Sequence, residues 1–438
     1  MAITKVKQEE TVGHRAQARK HESRQGGTPK KFFGLSQNVF VFGFVSMLND
    51  LSSEITVRTL PLFLANVLGV KTSIIGLIEG VADSTATLLK LFSGWISDKL
   101  GTRKPLVTGG YGLSALSKPF LYFAVTWPAV LVIRFLDRVG KGIRTSPRDA
   151  LIADSTDKAE LGKAFGYSRA MDPLGAVLGL LIAALLVYFG HRGMVSMTRG
   201  TFQTLVLISI VPAFIALALI VFFIKDLKPG EGVEVEGKTK IKAKAPSLSL
   251  RGFDSRFKAF LGIMILFTLG NSSDAFLILR AQNLGLSIVE IFVMLALFNL
   301  LATVVAYPAG VLSDRFGRVR VIIVGWLVYA LIYLGFGYAS AGWQVWVLYV
   351  LYGIYYGATE GVEKALVADV VSSEKRGTAY GLYNAAVGIS ALPASLIAGI
   401  LWQKLGPASP FIFGAGLSLM AVVALMAFVR LEKIGHAR

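Results

Sequence analysis

The sequence predicts an all-α polytopic membrane protein with twelve transmembrane helices. Three observations predict it: 54% of the 438 residues are hydrophobic, 16% are charged, and apolar stretches long enough to cross a bilayer recur along the chain. Soluble domains average about 25% charged residues. So apolar a composition excludes a disordered chain, and the absence of cysteine excludes a disulfide scaffold and a zinc–cysteine module.

Twelve apolar stretches follow a basic N-terminal segment. A helix rises about 1.5 Å per residue, so about 20 residues cross a hydrocarbon core about 30 Å thick. Several stretches contain proline, which neighbouring helices tolerate in a membrane bundle. We number the stretches spans 1 to 12, and they lie near residues 37–64, 72–97, 105–124, 127–152, 163–188, 203–224, 257–280, 287–313, 319–339, 343–370, 377–403 and 409–431.

Polar segments divide the chain into two bundles of six spans. Residues 1–35 are basic, lack the apolar core of a signal peptide and are expected to form a disordered tail. Residues 36–224 form the first bundle, 225–256 a charged, flexible linker, 257–432 the second bundle and 433–438 a short C-terminal tail.

The basic residues predict the orientation of the chain. Most of the 45 Lys and Arg lie in the tails, in the linker and after the even-numbered spans. The opposite loops hold Lys71, Arg192, Arg199, Arg280 and Lys404. Because cytoplasmic loops carry the excess of Lys and Arg, both termini are expected in the cytoplasm, with the protein in the plasma membrane.

The two bundles repeat each other. The sequence GWISDKLGTRK at 94–104 matches GVLSDRFGRVR at 310–320, and ALIADSTDKAELGKAFG at 150–166 matches ALVADVVSSEKRGTAYG at 365–381. In span 1, Ser52-Ser53-Glu54 parallels Ser272-Ser273-Asp274 in span 7. Three matches in one order, at nearly one offset, indicate parallel six-helix repeats related by a pseudo-two-fold axis, with a cavity between them.

These motifs resemble those of the major facilitator superfamily, near its drug:proton antiporters. The family's loop 2–3 signature is similar to the pattern of Gly94, Asp98, Lys99, Gly101 and Arg103, which recurs as Gly310, Asp314, Arg315, Gly317 and Arg318. The segment 134–142, RFLDRVGKG, is similar to the family's span 4 signature, and 172–176, DPLGA, to its span 5 antiporter motif. The resemblance covers about residues 36–432.

The resemblance implies the family's fold and a secondary active transporter. Its two bundles would rock around a central site, moving a small organic molecule by alternating access. Proton-coupled efflux is the main expectation. Proton-coupled uptake of an anionic metabolite, and a non-transporting receptor or scaffold on the same fold, are the alternatives.

Other classes of function find no support in the sequence. The chain has no P-loop, metal-ligand spacing or catalytic triad, so we expect no enzyme, no cofactor and no metal. The basic residues are scattered among loops and tails, which argues against nucleic-acid binding. The expected partners are a small-molecule substrate, protons and the lipid bilayer, and the protein is expected to be a monomer.

Carboxylates inside the spans are the candidate proton carriers. All four histidines lie outside the spans, so a proton pathway has to use acidic side chains. The repeat singles out Glu54 and Asp274, and the family resemblance places spans 1 and 7 around the cavity. A permanent structural pair with Arg58, four residues after Glu54, is the alternative. The full candidate set for proton coupling and the cavity is Asp50, Glu54, Arg58, Asp137, Asp172 and Asp274.

Span 4 carries a stripe of cations. Arg134, Asp137, Arg138, Lys141, Arg144 and Arg148 fall within an arc of about 120° on a helix. Because cations are costly to bury in lipid, the stripe is expected to face water, carboxylates or an anionic ligand. The candidate substrate contacts are Arg134 and Arg138, with Tyr355 and Glu360 of span 10.

Two further sets of charges are expected to act as gates. Asp98, Arg103, Asp314 and Arg318 belong to the repeated loop motif, where a carboxylate can cap a helix or pair with a base. Arg148-Asp149 at the end of span 4 occupies the position of Glu363-Lys364 in span 10, with the signs inverted. We therefore expect Arg148 to pair with Glu363, and Asp149 with Lys364, when this side closes; two local pairs are the alternative.

Overall fold

The computed structural model describes residues 31–32, 34–156, 160–190, 194–226, 249–371 and 375–436. A two-residue hairpin, Lys31–Phe32 with Leu35–Ser36, precedes the first helix. The spans are the helices Gln37–Asn66, Thr72–Leu100, Lys104–Tyr122, Trp127–Asp154, Leu161–Gly190, Arg199–Phe223, Ser255–Gly270 with Ala275–Asn283, Ile288–Phe316, Arg318–Tyr338, Gly342–Val370, Arg376–Leu405 and Ser409–His436. The prediction of an all-α protein with twelve spans is confirmed.

The segments expected to be tails and a linker lie mostly outside the described residues. Of the N-terminal tail, the structure describes only 31–32 and 34–35, and of the linker only 225–226 and 249–256. At the C-terminus the last helix continues to His436, so residues 433–436 of the expected tail are helical.

Seven of the helices are apolar and long enough to cross a membrane by composition alone. They are spans 5 to 9, 11 and 12. The other five, spans 1 to 4 and 10, are similar in length and carry the charged side chains that the sequence places inside the bundle. Spans 1, 2, 4 and 10 line the cavity between the halves, which accounts for their lower hydropathy.

Each half repeats the same packing. Span 1 packs on spans 5 and 6, as span 7 packs on spans 11 and 12. Spans 2 and 3 both pack on span 4, as spans 8 and 9 pack on span 10. The halves meet mainly along two seams, span 2 with span 11 and span 5 with span 8, which are equivalent under the repeat. This is the pseudo-two-fold arrangement that the sequence repeat predicts.

Span 7 is broken, where the sequence analysis expected one helix. The helix ends at Gly270, and a new one begins at Ala275. The freed backbone groups find partners, because Tyr329 donates its hydroxyl to the Gly270 carbonyl at 2.9 Å and the Ser273 N–H bonds to Ser395 Oγ at 3.2 Å. Non-helical backbone at this depth is tolerated where it lines a cavity. The break places Asp274 at the start of the second helix.

The bundle has two ends, which we name by the chain segments at each. The tail face is the end where span 1 begins, span 6 ends and span 7 begins, near residues 37, 223 and 255. The far face is the opposite end, where span 1 ends and span 2 begins, near residues 66 and 72. Between the faces, large side chains such as Phe120, Phe222 and Tyr307 point outward, 63%, 79% and 80% exposed, as expected for a lipid-facing surface.

Candidate functional site

A cavity of about 1180 Å³ lies between the two halves. Its walls come from spans 1, 2, 4 and 5 of the first half and spans 7, 8, 10 and 11 of the second. The lining reaches the tail-face ends of several helices, at Lys90, Thr145, Asp314 and Lys364. The cavity is therefore open towards the tail face, and its volume exceeds that of a typical site for a drug-sized ligand, about 300–1,000 Å³.

The far face is closed by direct bonds between the halves. Ser73 Oγ lies 2.7 Å from Gln403 Oε1, and Thr72 Oγ1 donates to the Gly399 carbonyl at 3.0 Å. A Cβ atom at Gly76 or Gly80 would lie 2.2 Å from Ser395 O or 2.8 Å from the Leu392 backbone. Glycines thus let spans 2 and 11 touch, and the seam blocks the cavity on this side.

Glu54, Arg58 and Asp274 form an ion-pair network that joins the halves. Arg58 Nε lies 2.8 Å from Glu54 Oε2 of the same helix, and Arg58 Nη1 lies 2.8 Å from Asp274 Oδ2 of the other half. The three side chains are 16%, 20% and 27% exposed in the order Arg58, Glu54, Asp274. The hydroxyl of Tyr349 is buried nearby without a hydrogen-bond partner among the described residues. The structure thus brings together the two acids that the repeat singled out.

The cations of span 4 do not act as one stripe. Arg134 is buried and pairs with Glu79 of span 2 at 2.9 Å, and Asp137 lies 3.7 Å from it. Arg144 turns away from the cavity, bonds to Ser114 Oγ at 2.8 Å and lies over the ring of Tyr111. Of the cations expected to form the stripe, the cavity lining includes Arg134, Arg138 and Lys141.

Arg138 lies in this wall without a close partner. It is 8% exposed, and its Nε has no hydrogen bond within the described structure. Its nearest carboxylate oxygen, on Asp137, lies 3.8 Å away. Lys141 is exposed one turn further on and has no ion pair within 4.0 Å among the described residues. Asp137 itself lies behind Arg134 and Arg138 and outside the main cavity.

Asp50 and Asp172 line the cavity on spans 1 and 5. Asp50 accepts a hydrogen bond from Asn49 Nδ2 at 3.1 Å, and Asp172 lies 4.0 Å from Arg148. Arg148 also contacts its neighbour Asp149 at 3.0 Å and bonds to Ser46 Oγ at 2.9 Å. Arg148 is therefore bonded within its own half, while Asp172 Oδ1 has no hydrogen bond among the described residues.

Span 10 corrects the assignment of Tyr355. The helix turns Tyr355 into the second bundle, where it is 4% exposed and packs against Phe267 and Tyr329. Tyr356 lines the cavity instead and is 42% exposed, while Tyr352 borders the lining but is only 2% exposed. Aromatic residues surround this helix, so the sequence pattern could not tell the cavity face from the packing face.

The expected gate pairs are local in this conformation. Glu363 is buried and accepts hydrogen bonds from Trp326 Nε1 at 3.0 Å and Tyr383 OH at 2.9 Å. Lys364 pairs with Glu360 at 2.7 Å on the cavity wall. The open tail face thus holds Arg148 and Glu363 apart, and their pairing stays a prediction for a state in which that face is closed.

The repeated loop motif forms the same triad in both halves. Arg103 lies 3.6 Å from Asp98 and 2.9 Å from Asp154 at the end of span 4. In the second half Arg318 lies 3.3 Å from Asp314 and forms a short contact with Asp369 at the end of span 10. The sequence analysis did not select the two closing carboxylates as site residues, although they occupy equivalent positions in the matched segments at 150–166 and 365–381.

Lys118 was also missed. It is 3% exposed in span 3 and donates to Ser53 Oγ at 3.3 Å and, more closely, to Ser52 Oγ. A lysine buried in a membrane helix marks a functional position by default. Its isolation in an otherwise apolar span was the available signal.

The model of the Major Facilitator Superfamily matches residues 42–279 and 259–438. The chain belongs to the major facilitator superfamily. It is therefore a multi-pass membrane protein and a secondary transporter of a small molecule rather than an enzyme, as the sequence resemblance predicted.

Relatives and solved structures agree with this membership. An uncharacterised MFS-type transporter of Methanocaldococcus jannaschii is 36% identical over 398 residues, covering 90% of this chain and 95% of its own. The class B tetracycline resistance protein of Escherichia coli is 32% identical over 141 residues, covering 32% of this chain and 35% of its own. A variant of the nucleoside transporter NupG shares the fold with a TM-score of 0.75 at 13% identity, covering 89% of this chain and 99% of its own.

Proposed function

We propose that this transporter exports a small organic solute in exchange for protons. The observation that carries the proposal is the network of Glu54, Arg58 and Asp274, which ties the two halves together on the far side of an otherwise open cavity. Moving the cavity opening to the far face requires the Arg58–Asp274 contact to break. Whatever neutralises Asp274 therefore eases that movement.

Protonation supplies the neutralising step. A hydrogen bond to a charged group contributes about 1.5–3 kcal/mol, and an uncharged Asp274 loses most of that attraction to Arg58. The empty, unprotonated protein then stays open to the tail face. Two loaded forms can change state: the protonated one, and the solute-bound one, in which contacts of the solute with both halves offset the broken pair. Two such loaded forms are what exchange requires.

The tail face is assigned to the cytoplasm. Most of the Lys and Arg of the chain lie in segments on this side, including the tail and linker segments that the structure does not describe. The cavity then draws its solute from the cytoplasm in the state observed. Relation to a tetracycline resistance protein supports export, since a cell can resist a drug by moving it out. Proton-coupled uptake of an anionic metabolite is the alternative within transport.

Membrane vesicles of known orientation distinguish the two directions. In inside-out vesicles acidified inside, export by exchange predicts solute uptake that depends on the pH gradient and stops when the gradient is collapsed. Asp274→Asn is expected to abolish gradient-driven accumulation while leaving exchange of solute for solute. Accumulation that occurs only when the gradient is reversed would instead support uptake with protons, and equal accumulation without a gradient would exclude proton coupling.

A further inference from the structure

The cavity wall of the first half carries charged groups that are not paired directly. Arg138 and Lys141 lie one helical turn apart on span 4, and neither has a carboxylate within 3.5 Å. Asp83 of span 2 and Asp50 of span 1 line the same wall, and neither forms an ion pair within 4.0 Å among the described residues. Neighbouring Arg134 is different, since Glu79 holds it at 2.9 Å.

The arrangement places opposite charges side by side without contact. Arg138 and Asp83, like Lys141 and Asp50, line one cavity without a direct bond between them. Arg138 is more than nine-tenths buried, and its Nε is without a hydrogen bond. A buried guanidinium nitrogen without a partner is costly, so it is a natural position for a ligand acceptor group.

Lys90 and Arg169 also line this wall without an ion pair within 4.0 Å among the described residues, but they lie nearer the tail face. The charge balance of the four deeper side chains selects among ligand classes. Two bases and two acids sum to zero, so an anion attracted by Arg138 and Lys141 is opposed by Asp50 and Asp83, and a cation meets the reverse. A zwitterion carries both signs on neighbouring atoms and can place each against the opposite charge. The arrangement is complementary to a dipole and to neither single charge.

The opposite wall suits the rest of such a molecule. Tyr356 of span 10 lines the cavity on the second half and is 42% exposed, whereas Tyr352 beside it is buried. Tyrosine rings offer apolar faces for packing and a polar edge towards water.

We propose that the cavity binds a zwitterion with an apolar or aromatic side group, its carboxylate on Arg138 and Lys141 and its ammonium on Asp50 and Asp83. The inference rests on the proposed transport function for its meaning in the cell, but the site can be tested by binding alone. Amino acids and compounds related to them form the chemical class.

A matched set of three probes tests the charge requirement. Phenylalanine, phenethylamine and 3-phenylpropionate share a ring and differ in carrying both charges, the ammonium or the carboxylate. Binding to the purified full-length protein is measured by calorimetry in detergent. Phenylalanine is expected to bind at least ten-fold more tightly than either of the others. Equal or tighter binding of the amine or the acid overturns the proposal, as does failure of all three to bind.

Variants assign each charge to its partner. Arg138→Gln should weaken phenylalanine binding at least ten-fold while phenethylamine binding holds or improves, which also shows that the variant folds. Asp83→Asn should do the opposite, weakening the amine relative to the acid. Arg315→Gln, the same change at an exposed position outside the cavity lining, should leave all three affinities unchanged. Parallel loss of all three probes in Arg138→Gln, with an unchanged unfolding temperature, would contradict the assignment.

Counterflow in proteoliposomes separates this inference from the transport proposal. Binding of phenylalanine without exchange across the membrane supports the zwitterion site and counts against transport. Exchange of the amine or the acid in preference to phenylalanine keeps the transporter and overturns the zwitterion site.

Discussion

Replacing Asp274 with asparagine should shift the protein towards a state open at the far face. Asp274 belongs to the second half, and its Oδ2 accepts from Arg58 Nη1 of the first half at 2.8 Å. Asparagine keeps the size and a hydrogen-bonding oxygen but removes the charge. The change therefore weakens one contact between the halves without creating a cavity.

The size of the shift follows from the geometry. A hydrogen bond between charged groups is worth about 1.5–3 kcal/mol. Both side chains are partly exposed, at 16% and 27%, and Arg58 keeps Glu54 at 2.8 Å as a second partner. The lower limit, about 1.5 kcal/mol, is the appropriate value, and about 1.4 kcal/mol is a ten-fold change in an equilibrium. The ratio of far-open to tail-open protein should rise about ten-fold.

Distances between spin labels measure this ratio. The chain has no cysteine, so labels can be attached through Lys71→Cys and Lys404→Cys, two exposed far-face positions on opposite halves. Electron–electron resonance should show one short distance in the parent and a larger population of long distances with Asp274→Asn. Glu290→Gln is the control, because in the described part of the chain this far-face carboxylate bonds to Ser287 of its own helix start and to no residue of the other half. An unchanged distribution in Asp274→Asn would refute the reasoning.

Three other predictions rest on separate contacts. Gly80→Leu should crowd the backbone of span 11 and destabilise the closed far face by about 1–3 kcal/mol, which the same spin labels would show as more long distances. Gly109→Leu is the control, because a side chain at Gly109 enters open space and should leave the distances unchanged. Arg280→Leu should lower the free energy of unfolding by about 2–4 kcal/mol, because three carbonyls at the end of span 9 lose their hydrogen-bond donor. A decrease of less than about 1 kcal/mol, measured by chemical denaturation, would count against this role. If Arg148 pairs with Glu363 when the tail face closes, Arg148→Glu should stop transport and the double variant Arg148→Glu with Glu363→Arg should restore part of it. A double variant without recovered transport would contradict the pairing and leave both residues with their local contacts.

The fold could be predicted from the sequence because its signals are long-range and redundant. Twelve apolar stretches fixed the class, and three repeated motifs fixed the relation of the halves. The repeat also identified Glu54 and Asp274, which the structure places on the two sides of Arg58. The loop triads followed the repeat as well, although Arg318 stands one position earlier in its motif than Arg103 does.

Side-chain direction within a span was harder to predict. Aromatic side chains lie on every side of span 10, so periodicity could not show that Tyr356 faces the cavity and Tyr355 the bundle. The break in span 7 depends on partners far along the chain, because Tyr329 and Ser395 form hydrogen bonds with the backbone groups that the break leaves free. Glu363 likewise depends on its donors in spans 9 and 11, which no local pattern reveals.

The far-face distance, measured with each partner of the contact between the halves removed in turn, tests the central claim most directly, because it needs no solute. If the contact between Arg58 and Asp274 keeps the far face closed, Asp274→Asn and Arg58→Gln should each raise the population of long distances, and the double variant should raise it no further than the larger single change. A distribution that stays closed in both single variants, or effects that add in the double variant, would contradict it.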